Sequence, residues 1–222
     1  MFPRHIKFAA LAADAVALSF IEGVLNVRLI TTQVPSFKGK RALPGALIRP
    51  HETADQTVAR VLAEKAGIHA SYIEQVYTFS RVDRDRRGRV VSVAYIALLT
   101  PTELTKVAER EEHTAIWVPV ASANRLAYDH DEILAASVAR LQAKVEYTDI
   151  IRHLLPKACT LTELQEAYET ILKRKLDKRN FRKKLLAQGV LKKTGKHTSG
   201  GSFRPAELYA FVPSKGGIID LI

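Results

Sequence analysis

The sequence predicts an α+β protein in two parts: a sheet sandwiched with helices, then a compact helix-turn-helix closed by a β-hairpin. Three observations predict it. Short β-rich runs bounded by turn residues recur through the first 120 positions, with one helically spaced stretch among them. After Tyr147 the order changes to two helices followed by two short strands around a Gly/Ser-rich tip. The charge divides at the same place. Residues 1–146 hold 19 Lys and Arg against 16 Asp and Glu, a net of +3. Residues 147–222 hold 15 against 7, which is +8 of the total +11.

Strands are expected at Ala13–Phe20, Asn26–Thr32, Tyr72–Phe79, Val90–Leu99 and Ala115–Val120, separated by turn signals such as Glu22-Gly23 and Arg87-Gly88. A helix is expected at Ala54–Ala66. Thr53 can cap its start, Gly67 can take the left-handed conformation that ends it, and Ala54, Val58, Leu62 and Ala66 form its buried stripe. A second helix, Asp131–Val145, carries Ile133, Leu134, Val138 and Leu141. In the second part, Thr160 and Glu163 form a capping box opening a helix whose inner stripe is Leu161, Leu164, Tyr168, Ile171 and Leu172. Lys178–Gln188 forms the next helix, closed by Gly189, and Val190-Leu191 and Leu208–Val212 flank the tip at Gly195–Ser202. That order is a winged helix-turn-helix, so the domains are 1–146 and 147–222.

Composition excludes several classes. Asp14 interrupts the apolar run near the N-terminus, so no signal peptide is expected, and no window is apolar enough for a transmembrane helix. The single cysteine, Cys159, excludes an intrachain disulfide framework and a thiolate metal cluster, and the chain reads as cytoplasmic. A basic second half in a folded pattern points to a polyanion, nucleic acid before others.

Pro44 to Ile68 carries the sharpest motif, a degraded Nudix box. The full pattern is a glycine, five residues, Glu, seven residues, then Arg-Glu-aliphatic-x-Glu-Glu-x-Gly-aliphatic, and Glu52, Arg60, Leu62, Glu64, Gly67 and Ile68 fit it without a gap. The glycine falls on Ala46, and two of the three clustered glutamates fall on Val61 and Lys65. Positions 61, 64 and 65 share a helix face, where three carboxylates would hold hard divalent cations. One carboxylate beside an ammonium is a poor magnesium site. No catalytic residue, metal site or cofactor is therefore expected, and Glu52 and Arg60 are expected as structural partners. No Ser/His/Asp arrangement stands out either.

Several longer strings converge on one family. PSFKGKRALPGALIRPHET (35–53) resembles the Pro-Phe-x-Gly-x-Trp-x-Leu-Pro-Gly-Gly-Phe segment of the Nudix-related transcriptional regulators of NrtR type. VDRDRRGRVVSVAYIALL (82–99) is similar to their DRDPRGRVVSVAY strand, and LAYDHDEIL (126–134) to their LAFDHxxIL. TLTELQ (160–165), FRKK (181–184) and RPAELY (204–209) match strings of their second domain. The resemblance implies a Nudix-like α/β/α sandwich with a mixed sheet, joined to a winged helix-turn-helix. It also implies a homodimeric repressor that releases double-stranded operator DNA on binding a small effector. In one branch the effector is ADP-ribose and the genes belong to NAD metabolism; other branches govern sugar catabolism. The chain departs from the pattern at Arg41, at Ala46-Leu47, and at Thr31 or Thr32, where an arginine is common.

Residues suited to an anionic nucleotide or sugar-phosphate effector are Arg49, Arg60, Arg87 and Arg89, with Phe79 and Tyr95 for stacking and His130 beside them in its distinctive string. On the helix 178–188, Phe181 and Leu185 face inward and Arg179, Asn180, Arg182 and Lys183 outward, residue types that read guanine and adenine edges. Lys184, Lys193, Lys196 and Arg204 suit phosphates. Leu186 also points outward, an awkward fit for a polar face. The rival readings are an active Nudix pyrophosphatase for ADP-ribose or a nucleotide sugar, and an RNA-binding adaptor.

Overall fold

The computed structural model describes residues 8–108, 115–199 and 205–213. Strand β1 (Ala10–Ile21) turns into β2 (Val24–Thr31) through Glu22 and Gly23, both left-handed, at φ +51° and +76°. A two-residue hairpin needs that geometry to match the strand twist. Then come β3 (Arg41–Ala42), β4 (Gly45–Leu47), α1 (Ala54–Ala66), β5 (Tyr72–Phe79), β6 (Val90–Leu99), α2 (Pro101–Ala108), β7 (Ile116–Pro119) and α3 (His130–Tyr147). The sheet is mixed: β1 runs parallel to β6, and every other pairing is antiparallel. Its order is β3-β2-β1-β6-β5, with β4 on β1 and β7 on β2.

One detail of register positions the site. Strand β2 pairs with the far end of β1, Leu18 to Ile21, whereas β4 pairs with its near half, Ala12 to Asp14. The sheet therefore divides beside Asp14, and a cleft opens there.

Alternate residues of each strand face opposite layers. Val16 and Leu18 of β1, Val27 and Leu29 of β2, and Ile96 and Leu98 of β6 pack with Ile133, Leu141 and Val145 of α3. On the other face Ala13, Ala15 and Ala17 meet Val58, Val61, Leu62 and Ala66 of α1, the small alanines leaving room for the helix. The result is the α/β/α sandwich. Helix α1 begins at Thr53 with a full capping box to Gln56 and ends at Gly67, φ +69°. Strand β1 reaches beyond Ala13–Phe20 because it pairs with β6 from Ala10 opposite Val90 to Ser19 opposite Leu99, and with β2 as far as Ile21 opposite Val24. Helix α2 was not expected, although Thr100, Pro101 and Glu103 carry its start signal. The Thr100 N–H and hydroxyl both donate to the Glu103 carboxylate.

The second part comprises α4 (Leu161–Leu172), α5 (Lys178–Ala187) and the hairpin β8 (Leu191–His197) with β9 (Glu207–Phe211). The Thr160–Glu163 capping box opens α4, and Asp177 caps α5 by accepting from the Asn180 N–H. Leu164, Tyr168, Ile171, Phe181, Leu185, Leu191 and Tyr209 form its centre, continuous with the α3 side of the sandwich through Ile150, Ile151 and Leu154. Helix α3 thus serves both parts. Gln142 donates to the Ile171 carbonyl at 2.8 Å, and Arg174 reaches Glu146 at 3.0 Å.

Candidate functional site: an effector cleft and a basic helix face

The cleft beside Asp14 has a volume of about 270 Å³. Its walls come from β1, from residues 30–34 and 42–47, from Lys65 of α1, from the loop after β5, and from Tyr128 and His130 at the entry to α3. At its floor lies a buried polar network. Asp14 Oδ2 accepts from Ser92 Oγ at 2.6 Å and from Arg84 Nη2 at 3.3 Å. Arg84 also grips Asp129 with two bonds, of 2.8 and 2.7 Å. Burial works against the Arg84 charge, but its bond to Asp129 and the charge of Asp14 outweigh it and raise the pKa. His130 Nδ1 accepts the Leu43 N–H at 2.9 Å, and Nε2 lies 3.6 Å from Asp14 Oδ1. Burial holds its pKa below the ordinary value despite the nearby carboxylates, so the imidazole is neutral near pH 7.

An aromatic wall stands above this floor. Tyr128 is held left-handed at φ +58°, a conformation that costs a bulky residue on the order of 1–3 kcal/mol. Its ring meets Phe37 at 4.4 Å and His130 at 5.0 Å, and the Arg87 guanidinium lies 5.6 Å from its centre. Arg87 is anchored by Asp85, whose carboxylate it grips at 2.7 Å.

Of the residues singled out for the effector, Arg87 and His130 line the cleft. The structure does not bring the others to it. Arg60 grips Glu52 with bonds of 2.7 and 2.8 Å, and Arg49 lies exposed beside the same carboxylate. Arg60 holds the Glu52 pKa down at about 2. Arg89 folds back on the Ser80 carbonyl. Tyr95 is 3% exposed on the α1 face with its hydroxyl on Asp55, and Phe79 packs toward the core on the α3 side. The aromatic at the cleft is Tyr128, two residues before His130 in the same string 126–134. Asp14 and Arg84 were also missed. The available signal for Asp14 was a carboxylate alone in an apolar strand.

The Nudix-box donors do not fit a divalent cation. Val61 is wholly buried in the α1 core, and both surviving glutamates are engaged by Arg60, Glu64 at 3.4 Å. Lys65 sends its ammonium to the Gly45 carbonyl at 2.6 Å. Among the described residues no group of three or more His, Cys, Asp or Glu could hold a metal ion.

On α5, Arg179, Asn180, Lys183 and Lys184 are exposed, while Phe181 and Leu185 are buried. Leu186 is 43% exposed on the outer side. Arg182 leaves that face: it is half-buried and donates to Thr162 Oγ1 at 2.9 Å, tying α5 to the start of α4. Lys196 is exposed on the wing, and Lys193 pairs with Glu207 at 3.0 Å. Arg204 lies outside the described residues.

Comparison with known proteins agrees with both halves. Residues 12–140 match the NUDIX domain, and residues 151–211 match the NrtR DNA-binding winged helix domain. The chain is 35% identical over 205 residues to the ADPR responsive transcriptional repressor NtrR of Acinetobacter baylyi, covering 90% of this chain and 81% of that one. The chain belongs to the NrtR family. Its fold matches the crystal structure of Shewanella oneidensis NrtR complexed with a 27mer DNA, with a TM-score of 0.81 and 32% identity over 91% of this chain and 93% of that one. The NUDIX domain of the same protein, in complex with ADP ribose, matches with a TM-score of 0.55 and 30% identity, over 64% and 94%. The ADP-ribose pyrophosphatase of Methanocaldococcus jannaschii is 30% identical over 125 residues, 56% of this chain and 70% of that one. As an NrtR-family protein, the chain is a ligand-responsive DNA-binding regulator of transcription. No helix among its described residues is long and apolar enough to cross a membrane.

Proposed function

We propose that this regulator is a cytoplasmic, homodimeric repressor whose effector is ADP-ribose or a related nucleotide or sugar phosphate, and whose genes serve NAD metabolism. Residues 1–146 form the sensing unit and 147–222 the DNA-binding unit. The observation that carries the reading is the placement of α3. Its N-cap, Asp129, is fastened to the cleft floor by Arg84, and its last turns share a core with α4 and α5. A ligand that rearranges the Arg84 and Arg87 loop has a direct mechanical route to the winged helix. Only differential affinity for two arrangements can drive such a change.

In the cleft, Arg87 and Lys65 are the cations for phosphate, Tyr128 the platform for a base or ribose, and His130 a neutral partner. On DNA, Arg179, Asn180 and Lys183 read base edges, and Leu186 suits a thymine methyl group. Lys184, Lys193, Lys196 and Arg204 hold phosphates. Two such units would sit on half-sites about 34 Å apart, or a multiple of that.

The test is fluorescence anisotropy with duplex DNA from the gene's own upstream region. Tight binding that ADP-ribose reverses is the expected result. Binding indifferent to ADP-ribose, nucleotide sugars and sugar phosphates would sink the reading. We also expect no AMP from ADP-ribose with magnesium or manganese, because the box lacks its carboxylate cluster; steady turnover would restore the enzyme alternative.

A further inference from the structure

The cleft raises a question of charge. A diphosphate bound in a Nudix box needs positive charge against it, and divalent cations normally bring it. Here the cation ligands are absent as a set: Val61 belongs to the core, and Glu52 and Glu64 are engaged by Arg60. Of the two carboxylates lining the cleft, Asp14 already accepts from Ser92 and from Arg84, and Asp85 holds Arg87. Lys65 occupies one of the lost glutamate positions, and its Nζ enters the cleft wall 2.6 Å from the Gly45 carbonyl.

That ammonium has three donors. Among the described residues one is used, and no carboxylate comes within the 4.0 Å of an ion pair. Arg84 and Arg87 are different, since each already grips an aspartate, Asp129 and Asp85 respectively. Loss of hydration lowers the Lys65 pKa, and Asp14 offsets this in part. Lys65 is exposed, so its other two donors face water, and the ammonium is a held cation at the cleft that can exchange this water for an anion.

We propose that Lys65 replaces the divalent cation: its ammonium neutralises the phosphate or diphosphate group of the effector, which binds without metal. This rests on the reading of the cleft as an effector site. Phosphate oxygens accept from the two remaining Lys65 donors while the Gly45 carbonyl keeps the third in place. Lys65 is therefore a binding residue, and its presence also excludes hydrolysis by the usual metal-activated water.

Calorimetric titration of the full chain tests it, with ADP-ribose and inorganic pyrophosphate as probes, each in EDTA and in magnesium. The wild type is expected to bind both probes equally well in either buffer. Lys65→Met should weaken both by about tenfold or more, as loss of a charge-assisted bond predicts. Lys65→Glu should bind neither in EDTA. Unchanged thermal melting and operator binding would confirm that both variants are folded. Magnesium-dependent binding by the wild type would overturn the proposal while leaving the effector reading intact, as would wild-type affinity in Lys65→Met. Pyrophosphate binding that needs Lys65, without any ADP-ribose binding, would support the proposal and move the effector to another phosphate. Failure of both probes to bind the wild type would remove both readings.

Discussion

Gly45 shapes the cleft by what it lacks. A Cβ at this position would lie 1.8 Å from Asp14 Oδ1 and 3.2 Å from the Ala13 carbonyl oxygen, so β4 can pair with β1 there only without a side chain. Gly45→Ala should lower stability by about 1–3 kcal/mol, the range for overpacking, measured as a fall in urea midpoint. Unchanged stability would mean that Asp14 is freer to move than its bonds to Ser92 and Arg84 imply. The glycine was legible as part of the Pro-Gly segment, but its reason was not, because Asp14 is 31 positions away and meets it only through strand pairing. The same logic separates Arg87 and His130, which reached the cleft, from Tyr95, which did not. Period-two alternation places Tyr95 on the α1 face, and a residue's chemistry alone cannot say which face it takes.

At the scale of elements, α1 and α5 show what helical spacing can carry. The caps at Thr53, Thr160 and Asp177 are local, formed between residues three apart, so their partners can be read along the chain. The inner stripe of α5, Phe181 and Leu185, follows from the same periodicity, and it leaves Arg179, Asn180 and Lys183 outward. Arg182 turned aside because Thr162 of α4 lies within its reach, a contact twenty residues away along the chain. Two substitutions separate the roles on DNA. Arg179→Ala should weaken operator binding by about 1–3 kcal/mol and relax preference at one base pair. Lys196→Ala should weaken operator and random DNA alike and reduce the salt dependence by about one ion. Equal loss on both DNAs for Arg179→Ala would demote it to a phosphate contact.

Across the whole molecule, α3 is the connection that matters. Its 18 residues span about 27 Å, from the Asp129–Arg84 pair at the cleft to Gln142 against α4 and Glu146 against Arg174 just beyond it. Arg152 extends the contact to the wing, where it lies over the Phe211 ring at 5.6 Å. If coupling runs this way, the double variant Gln142→Ala, Arg174→Ala should bind ADP-ribose and operator separately with near-normal affinity while losing much of their mutual antagonism. The check is the ADP-ribose Kd with and without saturating operator, since coupling between two ligands is reciprocal. Undiminished antagonism would place the route elsewhere. The charge division near Tyr147 was visible in composition, yet the core shows no matching break: Leu141 and Val145 of α3 share one cluster with Leu164 and Tyr168.

The sequence by itself determined the layered fold, the winged helix, the caps and the degradation of the Nudix box, because each depends on residues close along the chain or on a motif with fixed spacing. Only the tertiary structure decided what the cleft is made of. Asp14, Lys65, Arg84, and Tyr128 with His130 come from four separate segments, and they meet because β1 pairs with β4 along one half and with β2 along the other. That division of the sheet leaves no periodic trace in the sequence. It turns a carboxylate that merely interrupts an apolar strand into the floor of a cleft, and puts Lys65, at a substituted glutamate position, in its wall.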